Sequence, residues 1–378
     1  MKRQDTLYQL VDKLETEQKL NKKEWIQLID GRTPQLADYL FEKAVRIRKQ
    51  YYDNKIYIRG LIEVSNICRN DCYYCGIRRS NRNANRYHLT RGEILACCRE
   101  GYELGFRSFV LQGGEDPYCS DSIVVQIVSA IKGMYPDCAV TLSLGEKSRE
   151  SYQAYFNAGA DRYLLRHETA DPAHYRKLHP SELSLKNRMR CLWDLKEIGY
   201  QTGSGFMVGS PGQTSACLAE DMIFLKELEP QMVGIGPFIP HHDTPLAKEA
   251  VGTAELTVFM LGLLRLMLPS VLLPATTALG TIDEMGREKG ILAGANVVMP
   301  NLSPQDVRKK YELYDNKLCT GSEAAEYKRQ LQEQMEAIGY TIVTDRGDYV
   351  PLPSREDKSR KKYPKYNKRS KEYGVIGT

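Results

Sequence analysis

Three cysteines lie close together on one short stretch of the chain, in the spacing Cys68-x3-Cys72-x2-Cys75. Cysteine thiolates are the usual protein ligands of iron–sulfur clusters. Three ligands can bind three irons of a cubane cluster and leave the fourth iron open, and an open metal position is typical of a catalytic site. A structural zinc site needs four ligands, normally as two pairs, and no second pair is nearby. The stretch therefore predicts a catalytic [4Fe–4S] cluster.

The remaining cysteines and the start of the chain indicate a reducing compartment. Ten cysteines occur in all, but the other seven are scattered, which is typical of small buried residues rather than of a disulfide scaffold. The first twenty residues are charged throughout and contain no apolar leader, and no run of about 18 apolar residues follows. We expect a cytoplasmic protein with no membrane segment.

An alternation of β-rich and helical runs must position the cysteines. Eight strand candidates occur, namely Ile56–Val64, Ser108–Gln112, Ala139–Leu144, Asp161–Glu168, Gly203–Val208, Met232–Ile239, Leu272–Ala278 and Asn296–Pro300. Eight strands that alternate with helices predict an α/β fold, the (β/α)8 TIM-type barrel. The sequences AGAD at 158–161 and AGAN at 293–296 resemble helix C-cap glycines that lead into the next strand.

The barrel accounts for most of the chain. We expect an N-terminal helical segment at 1–50, the barrel at 51–320, and a C-terminal helix with a basic tail at 321–378. Residues 354–371 carry nine lysines and arginines against Glu356 and Asp357. Such a tail can contact an acidic partner or nucleic acid, but a solvated terminus is the more common case.

Active sites of such barrels lie at the carboxyl ends of the strands. The cysteines follow the first strand, and Gln112-Gly113-Gly114-Glu115 follows the second. Glycines let a backbone approach a ligand closely, although ordinary turns also use them. At this end of a barrel we favour the binding interpretation.

The fourth strand carries an unusual number of charges. Strand residues alternate between faces, so Arg162, Arg166 and Glu168 share one face while Tyr163, Leu165 and His167 share the other. The apolar face should pack on the helices, which turns the charges into the barrel. Buried charge needs a partner or a ligand. An internal Arg–Glu ion pair and a ligand site are both possible interpretations.

Two further pairs are open to more than one interpretation. Thr276 and Thr277, on the predicted seventh strand, can bind an anion together with Arg166 or can be ordinary strand residues. His241 and His242 can be metal ligands, but without a third ligand we favour loop residues.

The motifs at the strand ends resemble those of the HydE family, the radical S-adenosylmethionine (SAM) maturases of [FeFe]-hydrogenase. The likeness covers roughly residues 5–320, and its most specific stretches are SNICRNDCYYCGIRR (65–79), LQGGEDPY (111–118), GADRYLLRHETADP (159–172), MVGIGPFIPHHDTPLA (232–247) and LPATTALGT (273–281). Tyr74 completes the cysteine pattern of radical SAM enzymes, Cys-x3-Cys-x-aromatic-Cys.

The resemblance implies a cofactor set and a list of site residues. It implies one [4Fe–4S] cluster and SAM, which is cleaved reductively to a 5'-deoxyadenosyl radical. Residues at matching SAM-pocket positions are Tyr74, Gln112, Gly113, Gly114, Glu115, Thr141, Glu168, Arg188, Met232, Tyr311 and Leu313. Residues at matching or neighbouring anion-site positions are Arg162, Arg166, Thr276 and Thr277.

The resemblance also implies a substrate and partners. The substrate would be a small sulfur-containing complex of iron, carbon monoxide, cyanide and cysteine made by the maturase HydG, and the product would go to the scaffold protein HydF. A ferredoxin or flavodoxin would supply electrons, and nucleic acid is not an expected partner. Some members carry a second cluster on three cysteines near the C-terminus. Here only Cys319 is present in that region, so we expect one cluster.

Two other functions compete with this interpretation. Another biotin synthase-like enzyme, for biotin or methylornithine synthesis, would share the barrel and the cysteine loop. Biotin synthase, however, uses three further cysteines and a barrel arginine, and here Thr276 and Thr277 occupy that strand. A protein that only carries a cluster or binds nucleic acid would leave the polar strand ends without a role.

Overall fold

The computed structural model describes residues 2–318 and 324–351 of the chain. Within these residues the helices are α1 Lys2–Glu17, α2 Lys22–Asp30, α3 Pro34–Tyr52, α4 Arg91–Glu103, α5 Asp121–Met134, α6 Arg149–Asn157, α7 Pro172–Leu178, α8 Leu185–Ile198, α9 Ser215–Leu228, α10 Ala254–Met267, α11 Thr277–Ile282, α12 Gly286–Leu292, α13 Gln305–Arg308 and α14 Ala324–Ala337. The strands are β1 Lys55–Ile58, β2 Gly60–Ser65, β3 Ser108–Gly113, β4 Ala139–Ser143, β5 Arg162–Leu164, β6 Gln201–Ser204, β7 Met207–Val208, β8 Met232–Val233, β9 Gly236–Pro237, β10 Val297–Val298 and β11 Thr341–Val343.

A parallel sheet forms the centre of the molecule, with six strands in the order β2-β3-β4-β5-β6-β8. All of its pairs are parallel. Helices connect the strands, and a large apolar core lies between the helices and the outward faces of strands, for example at Ile62, Phe109 and Val140. The α/β class with a parallel sheet is confirmed. Parallel strands end at the same edge, so the loops after them lie together.

Isolated bridges continue the sheet beyond its six strands. Met232 pairs with Leu272, Pro274 with Val297, and Leu61 with Asn301, all in parallel. β10 pairs with β1 in a second sheet of order β10-β1-β11. Parallel pairing thus continues from β8 to residues 272–274, from these to β10, and from the residues after β10 to β2.

Several predicted strands are shorter than expected or are divided. The first divides at Arg59 into β1 and β2, and β1 pairs with β10 and β11 rather than with β3. The fifth divides into β6 and β7 at Gly205, where φ is +154° and a Cβ would lie 1.9 Å from the carbonyl oxygen of Gly234. The predicted seventh strand was wrong beyond Pro274, because Thr276 caps α11 and Thr277 is its first residue.

Several helix ends lie where local sequence signals predict them. Thr90 and Glu93 form a capping box at the start of α4. Gly159 and Gly294 follow α6 and α12 with φ of +108° each, as the two AGA motifs predicted. The three N-terminal helices pack on the body of the molecule, with α3 against α10 and α2 against α9.

The chain returns to the sheet after α14. β11 pairs in parallel with β1, with Lys55 opposite Thr341. β11 is absent from the strands predicted from the sequence. The basic tail at 354–371 and Cys319 lie outside the described residues. Within the described part of the chain, no helix has the length and apolar character needed to cross a bilayer.

Candidate functional site

The cysteine loop, residues 66–89, joins β2 to α4 at the carboxyl edge of the sheet. A register shift in the β2–β3 pairing between Glu63 and Ser65 comes directly before it. Such bulges re-aim the end of a strand. Backbone hydrogen bonds anchor the loop to three other segments, from the N–H groups of Arg69, Tyr73 and Gly76 to the carbonyls of Glu115, Leu178 and Leu313, at 3.0, 2.9 and 2.9 Å.

The glycine-rich turn after β3 lies directly against this loop. A Cβ on Gly114 would lie 2.3 Å from the carbonyl oxygen of Ile67 and 2.8 Å from the Cβ of Cys68. Real Cβ atoms do not approach other atoms so closely, so the backbones meet here only because residue 114 is glycine.

Glu115 binds the cysteine loop from the same turn. Its backbone N–H donates to the Sγ of Cys68 at 3.4 Å. Its carboxylate accepts from the Arg69 side chain at 2.9 Å and from the backbone N–H of Glu146 at 2.8 Å. The carboxylate is therefore already occupied by protein groups, and Glu115 supports the cysteine loop.

The three thiols share a partly buried environment. Burial raises the pKa of Cys68 and brings the pKa of Cys72 to about 12. Burial also raises the pKa of Cys75, and the negative charges of Cys72 and Cys68 add to that increase. Thiols of this kind stay protonated unless a cation binds, because coordination to a metal deprotonates them. The donor set is suited to a positively charged metal centre.

Arg166 and Glu168 lie beyond the end of β5. The Nη2 of Arg166 and the Oε2 of Glu168 are 3.1 Å apart, although without the orientation of a hydrogen bond. Glu168 has φ of +65°, uncommon for a residue other than glycine. The predicted ion pair is thus present.

The same ion pair leaves hydrogen-bonding capacity unused. Among the described residues, the Nε and Nη2 of Arg166, the Oε2 of Glu168 and the Oγ1 of Thr141 are buried and have no hydrogen-bond partner. Buried polar atoms without a partner are costly and rare, so the free atoms of Arg166 and Glu168, which lie together, indicate the place of a polar ligand.

Arg188 of α8 holds a second ion pair close to Arg166. It donates to the carboxylate of Glu146 and, at 2.7 Å, to the backbone carbonyl of Arg166. Both side chains of the Arg188–Glu146 pair are almost fully buried. The negative charges of Glu146, Tyr175 and Tyr74 outweigh burial and raise the pKa of Arg188.

Tyr74 of the cysteine loop contacts an aromatic group at the C-terminal end of α7. Its hydroxyl lies 3.4 Å from the Nε2 of His179, and the His179 ring stacks on Tyr175 with centroids 3.9 Å apart. Tyr74 also packs against a small apolar cluster of Leu178, Met207 and Phe238.

A segment that we call the strap, residues 310–318, runs across the carboxyl edge of the sheet. Its contacts join Lys310 to Asn66, Leu313 to Gly76, Asp315 to Pro240, Lys317 to Glu63 and Leu318 to Thr281. The hydroxyl of Tyr311 accepts from Gln112 at 3.4 Å. The strap therefore brings Tyr311 to the glycine-rich turn and Leu313 to the cysteine loop.

Arg162 does not belong to this group, which corrects the expectation that it helps to hold an anion with Arg166. Its side chain is fully buried at the first residue of β5. Its donors bind Ser108, Gln201, Asp348 and the carbonyls of Arg346 and Gly347. The alternation of side chains along a strand predicts which face of β5 carries Arg162. It does not predict that Arg162 lies at the amino end of the strand, away from the cysteine loop.

Met232 also lies elsewhere than expected. It is the first residue of β8, and its sulfur accepts from Arg59 at 2.9 Å. It packs with Tyr57, Val297 and Tyr349, whereas Tyr74 packs in a different apolar cluster. Met232 is therefore at the amino side of the sheet and does not line a pocket at the cysteine loop.

Thr276 and Thr277 lie at the start of α11 rather than within a strand. The Oγ of Thr276 accepts from the N–H of Leu279 at 3.4 Å. Both side chains are half-buried. Tyr314 of the strap connects the two regions, since it interacts with Thr281 of α11 and lies near the charge of Arg166.

His241 and His242 gain a third neighbour that the sequence did not indicate. Ligand atoms of both histidines and Asp315 lie within 4.8 Å of one another, the one such triplet in the described part of the chain. Hydrogen bonds already occupy the group, since the Nδ1 of His242 is 2.6 Å from Asp315 and the Nδ1 of His241 accepts from Asp243. We retain the interpretation as loop residues.

Sequence reasoning missed two buried ion pairs of the site. The pairs are Arg188–Glu146 and Lys317–Glu63. Glu146 follows a strand directly, a signal that was available. Lys317 lies in a segment without periodicity, so no sequence pattern linked it to β2.

Comparison with known proteins gives a consistent result. Residues 62–225 match the family model described as the radical SAM superfamily. The chain is 52% identical over 280 residues to the "[FeFe] hydrogenase maturase subunit HydE" of Thermotoga maritima, which covers 74% of this chain and 80% of that protein. It is 30% identical over 283 residues to the 3-methylornithine synthase of Methanosarcina acetivorans, which covers 74% and 79%.

Solved structures support the fold. The crystal structure of methylornithine synthase superposes with a TM-score of 0.77 and 26% identity, over 88% of this chain and 97% of that one. The crystal structure of HydG gives a TM-score of 0.74 at 19% identity, over 88% and 75%.

Proposed function

Because the chain belongs to the HydE family of [FeFe]-hydrogenase maturases and to the radical SAM superfamily, we propose that it acts on a small sulfur-containing iron–CO–CN–cysteine complex during assembly of the hydrogenase cofactor. It is a radical SAM enzyme, a class that uses a [4Fe–4S] cluster and SAM. The observation that carries the substrate proposal is the Arg166–Glu168 pair, which has buried atoms without a hydrogen-bond partner; the charge of Glu168 acts on Cys72 and Cys75 and so lies near the cysteine loop.

Cys68, Cys72 and Cys75 would hold one cluster per chain. Their raised thiol pKa values fit a site that is completed by a cationic metal centre. When bound, the cluster and SAM supply one-electron cleavage of a carbon–sulfur bond and a deoxyadenosyl radical. The protein contributes binding, orientation and exclusion of water.

The SAM site would lie between the cysteine loop, the glycine-rich turn and the strap. Gln112, Gly113 and Gly114 would offer backbone and amide groups, and Glu115 would support the loop. Thr141 and Glu168 have free acceptor capacity for hydroxyl or amino groups. The remaining members of this proposed site are Tyr74, Arg188, Tyr311 and Leu313.

The substrate would bind beside Arg166. A complex with cyanide and carboxylate groups is anionic, and the free guanidinium donors of Arg166 match such a ligand. Thr276 and Thr277 would complete the site through their hydroxyls. Because Arg162 and Met232 have other partners, we leave both out of the proposed site.

We further propose that the sheet closes into a (β/α)8 barrel, with N-terminal helices at 1–50, the barrel at 51–320 and the C-terminal helix and tail at 321–378. The three isolated bridges support closure, since they link β8 to β2 through residues 272–274 and β10. The HydG protein would supply the substrate, HydF would receive the product, and a ferredoxin or flavodoxin would reduce the cluster.

The competing reaction is that of a methylornithine or biotin synthase. The 30% identity to methylornithine synthase is well below the 52% identity to HydE, which favours the maturase.

An in vitro maturation reaction tests the proposal. Apo-hydrogenase, HydG and HydF, without HydE, should gain hydrogen evolution when the reconstituted protein is added, and the Cys72→Ala variant should give none. Conversion of dethiobiotin or lysine, with no gain of hydrogenase activity, would overturn the maturase assignment.

A further inference from the structure

The cysteine loop carries an unusual concentration of positive charge. Residues 66–91 contain six arginines and a single acidic residue, Asp71. Five of the six arginines lie within the cysteine loop itself, and Arg91 is the first residue of α4.

The five arginines of the cysteine loop fall into two groups. Arg78 pairs with Asp71 at 2.6 Å, and Arg86 donates to four backbone carbonyls of the loop, so both stabilise it from within. Arg69 and Arg79 point outward, with 62% and 60% of their side chains exposed. Arg82 is also exposed. Arg69 also pairs with Glu115, so Arg79 and Arg82 are the two loop arginines whose side chains make no ion pair within the loop or with the glycine-rich turn.

The outward arginines lie next to the cysteines. Arg69 directly follows Cys68 in the chain. The backbone N–H of Arg79 donates at 2.8 Å to the carbonyl of Asn70, between Cys68 and Cys72. The charged surface is therefore the outer side of the same loop that carries the three thiols.

Little acidic charge compensates this surface. Arg69 pairs with the buried carboxylate of Glu115. Arg79 lies 3.7 Å from Glu182, but both are largely exposed, so the pair is weak. Arg82 has no acidic partner in the described part of the chain.

A large aromatic side chain borders the arginines. Tyr118 is 67% exposed, the most of any large hydrophobic residue that the structure describes, and it follows the turn that binds Cys68. Its ring lies 5.4 Å from that of His88 at the end of the cysteine loop. Tyrosine and arginine are, with tryptophan, the residue types that are enriched at protein–protein hot spots.

We propose that Arg69, Arg79, Arg82 and Tyr118 form a docking surface, the arginine face, for an acidic one-electron carrier protein of the flavodoxin or ferredoxin type. The proposal rests on the proposed function, which requires one electron for each reductive cleavage. The carrier loses one electron and the cluster gains it, from [4Fe–4S]2+ to [4Fe–4S]+, with no transfer of atoms or protons.

The physical reasons for this partner are charge and distance. Electron transfer weakens steeply with distance, so the donor must approach the cluster through the loop that holds it. Complementary charge speeds the encounter and orients the partners, and electron-transfer complexes are small and transient. A few exposed arginines around one aromatic residue fit such a contact.

Binding and reduction can be measured separately on the cluster-loaded full chain. The dissociation constant of an oxidised flavodoxin is measured by calorimetry for the wild type, for Arg79→Glu with Arg82→Glu, and for the matched control Arg99→Glu with Arg329→Glu, whose arginines are exposed on α4 and α14. Reduction of the cluster is followed optically, with reduced flavodoxin and with titanium(III) citrate.

The loop variant should bind flavodoxin about tenfold more weakly, and added salt should weaken wild-type binding most. The rate at which titanium(III) citrate reduces the cluster of the loop variant should equal that of the wild type. The control variant Arg99→Glu with Arg329→Glu should match the wild type in both binding and reduction. Equal binding by both variants, or tighter binding of single-stranded RNA than of flavodoxin, would overturn the proposal. Protein reduced by titanium(III) that releases no methionine from SAM would instead refute the proposed function.

Discussion

The backbone N–H of Glu115 donates to the sulfur of Cys68 across 3.4 Å. This contact joins the glycine-rich turn after β3 to the cysteine loop after β2, so the two loops form one structural unit. Hydrogen bonds to cluster sulfurs help to set reduction potentials. The turn therefore affects the proposed cluster through its shape as well as through any ligand it binds.

Replacing Gly114 with alanine should displace the cysteine loop. The new methyl group would overlap the carbonyl of Ile67 and the Cβ of Cys68, at 2.3 and 2.8 Å. We expect Gly114→Ala to reduce the cluster content after reconstitution, measured as iron and sulfide per chain. Gly133→Ala on α5 is the matched control, because a Cβ there meets no atom within 4 Å. Equal cluster content in the two variants would contradict this account of the turn.

Removing any loop cysteine should abolish the cluster. We expect Cys68→Ala, Cys72→Ala and Cys75→Ala to lose the visible absorption of the reconstituted protein, because each removes one of three ligands. Cys119→Ala, at a partly buried cysteine outside the loop, should keep it. A stable cluster in Cys72→Ala would show that the ligand set is wrong.

The two arginines of the β5 region should differ in what they support. Arg162→Met would remove a fully buried guanidinium that donates to Ser108, Asp348 and two backbone carbonyls, and should cost about 3 kcal/mol in the free energy of unfolding, measured with denaturant. Arg166→Gln should change stability little but raise the KM for the iron complex roughly tenfold or more, because it removes a charged hydrogen-bond donor. The reverse pattern would place the anion site at Arg162.

The strap should loosen as the pH rises. A hydrogen bond to Asp315 raises the pKa of His242, and the charges of Asp315, Asp243 and Glu312 act in the same direction, against burial. The protonated form therefore stabilises the strap fully below the ordinary histidine pKa of about 6.5, and this contribution is lost as the pH rises through the raised pKa.

Hydrogen exchange of residues 311–318 measures this effect. Protection, corrected for the intrinsic exchange rate, should fall across neutral pH in the wild type, and His242→Gln should remove the dependence. Protection that is independent of pH in the wild type would rule out a role for His242 in holding the strap.

The sequence predicted the parts of the site that depend on order along the chain. Cys68 and Glu115 follow strand candidates and Glu168 is the last residue of another, and parallel strands bring their carboxyl ends together. The helix ends at Thr90, Gly159 and Gly294 followed from local capping rules.

The position of a residue along its strand and the pairing of segments distant in sequence could not be predicted in the same way. Alternation assigns Arg162 to a face, but its position at the amino side depends on residues 346–348, far along the chain. The β-branched side chains of Thr276 and Thr277 favour a strand. Threonine is also a common N-cap residue, and Thr276 caps α11 in the structure. β11 and the contacts of Lys317 depend on tertiary structure alone.

Methionine release from SAM under anaerobic conditions tests the central claim most directly. The reconstituted protein is reduced with titanium(III) citrate, and release is followed alone and with the iron–CO–CN–cysteine complex, dethiobiotin or lysine. We predict strong stimulation by the iron complex only, and weaker stimulation in Arg166→Gln. Stimulation by dethiobiotin or lysine instead, or no methionine from protein with a verified cluster, would contradict the assignment.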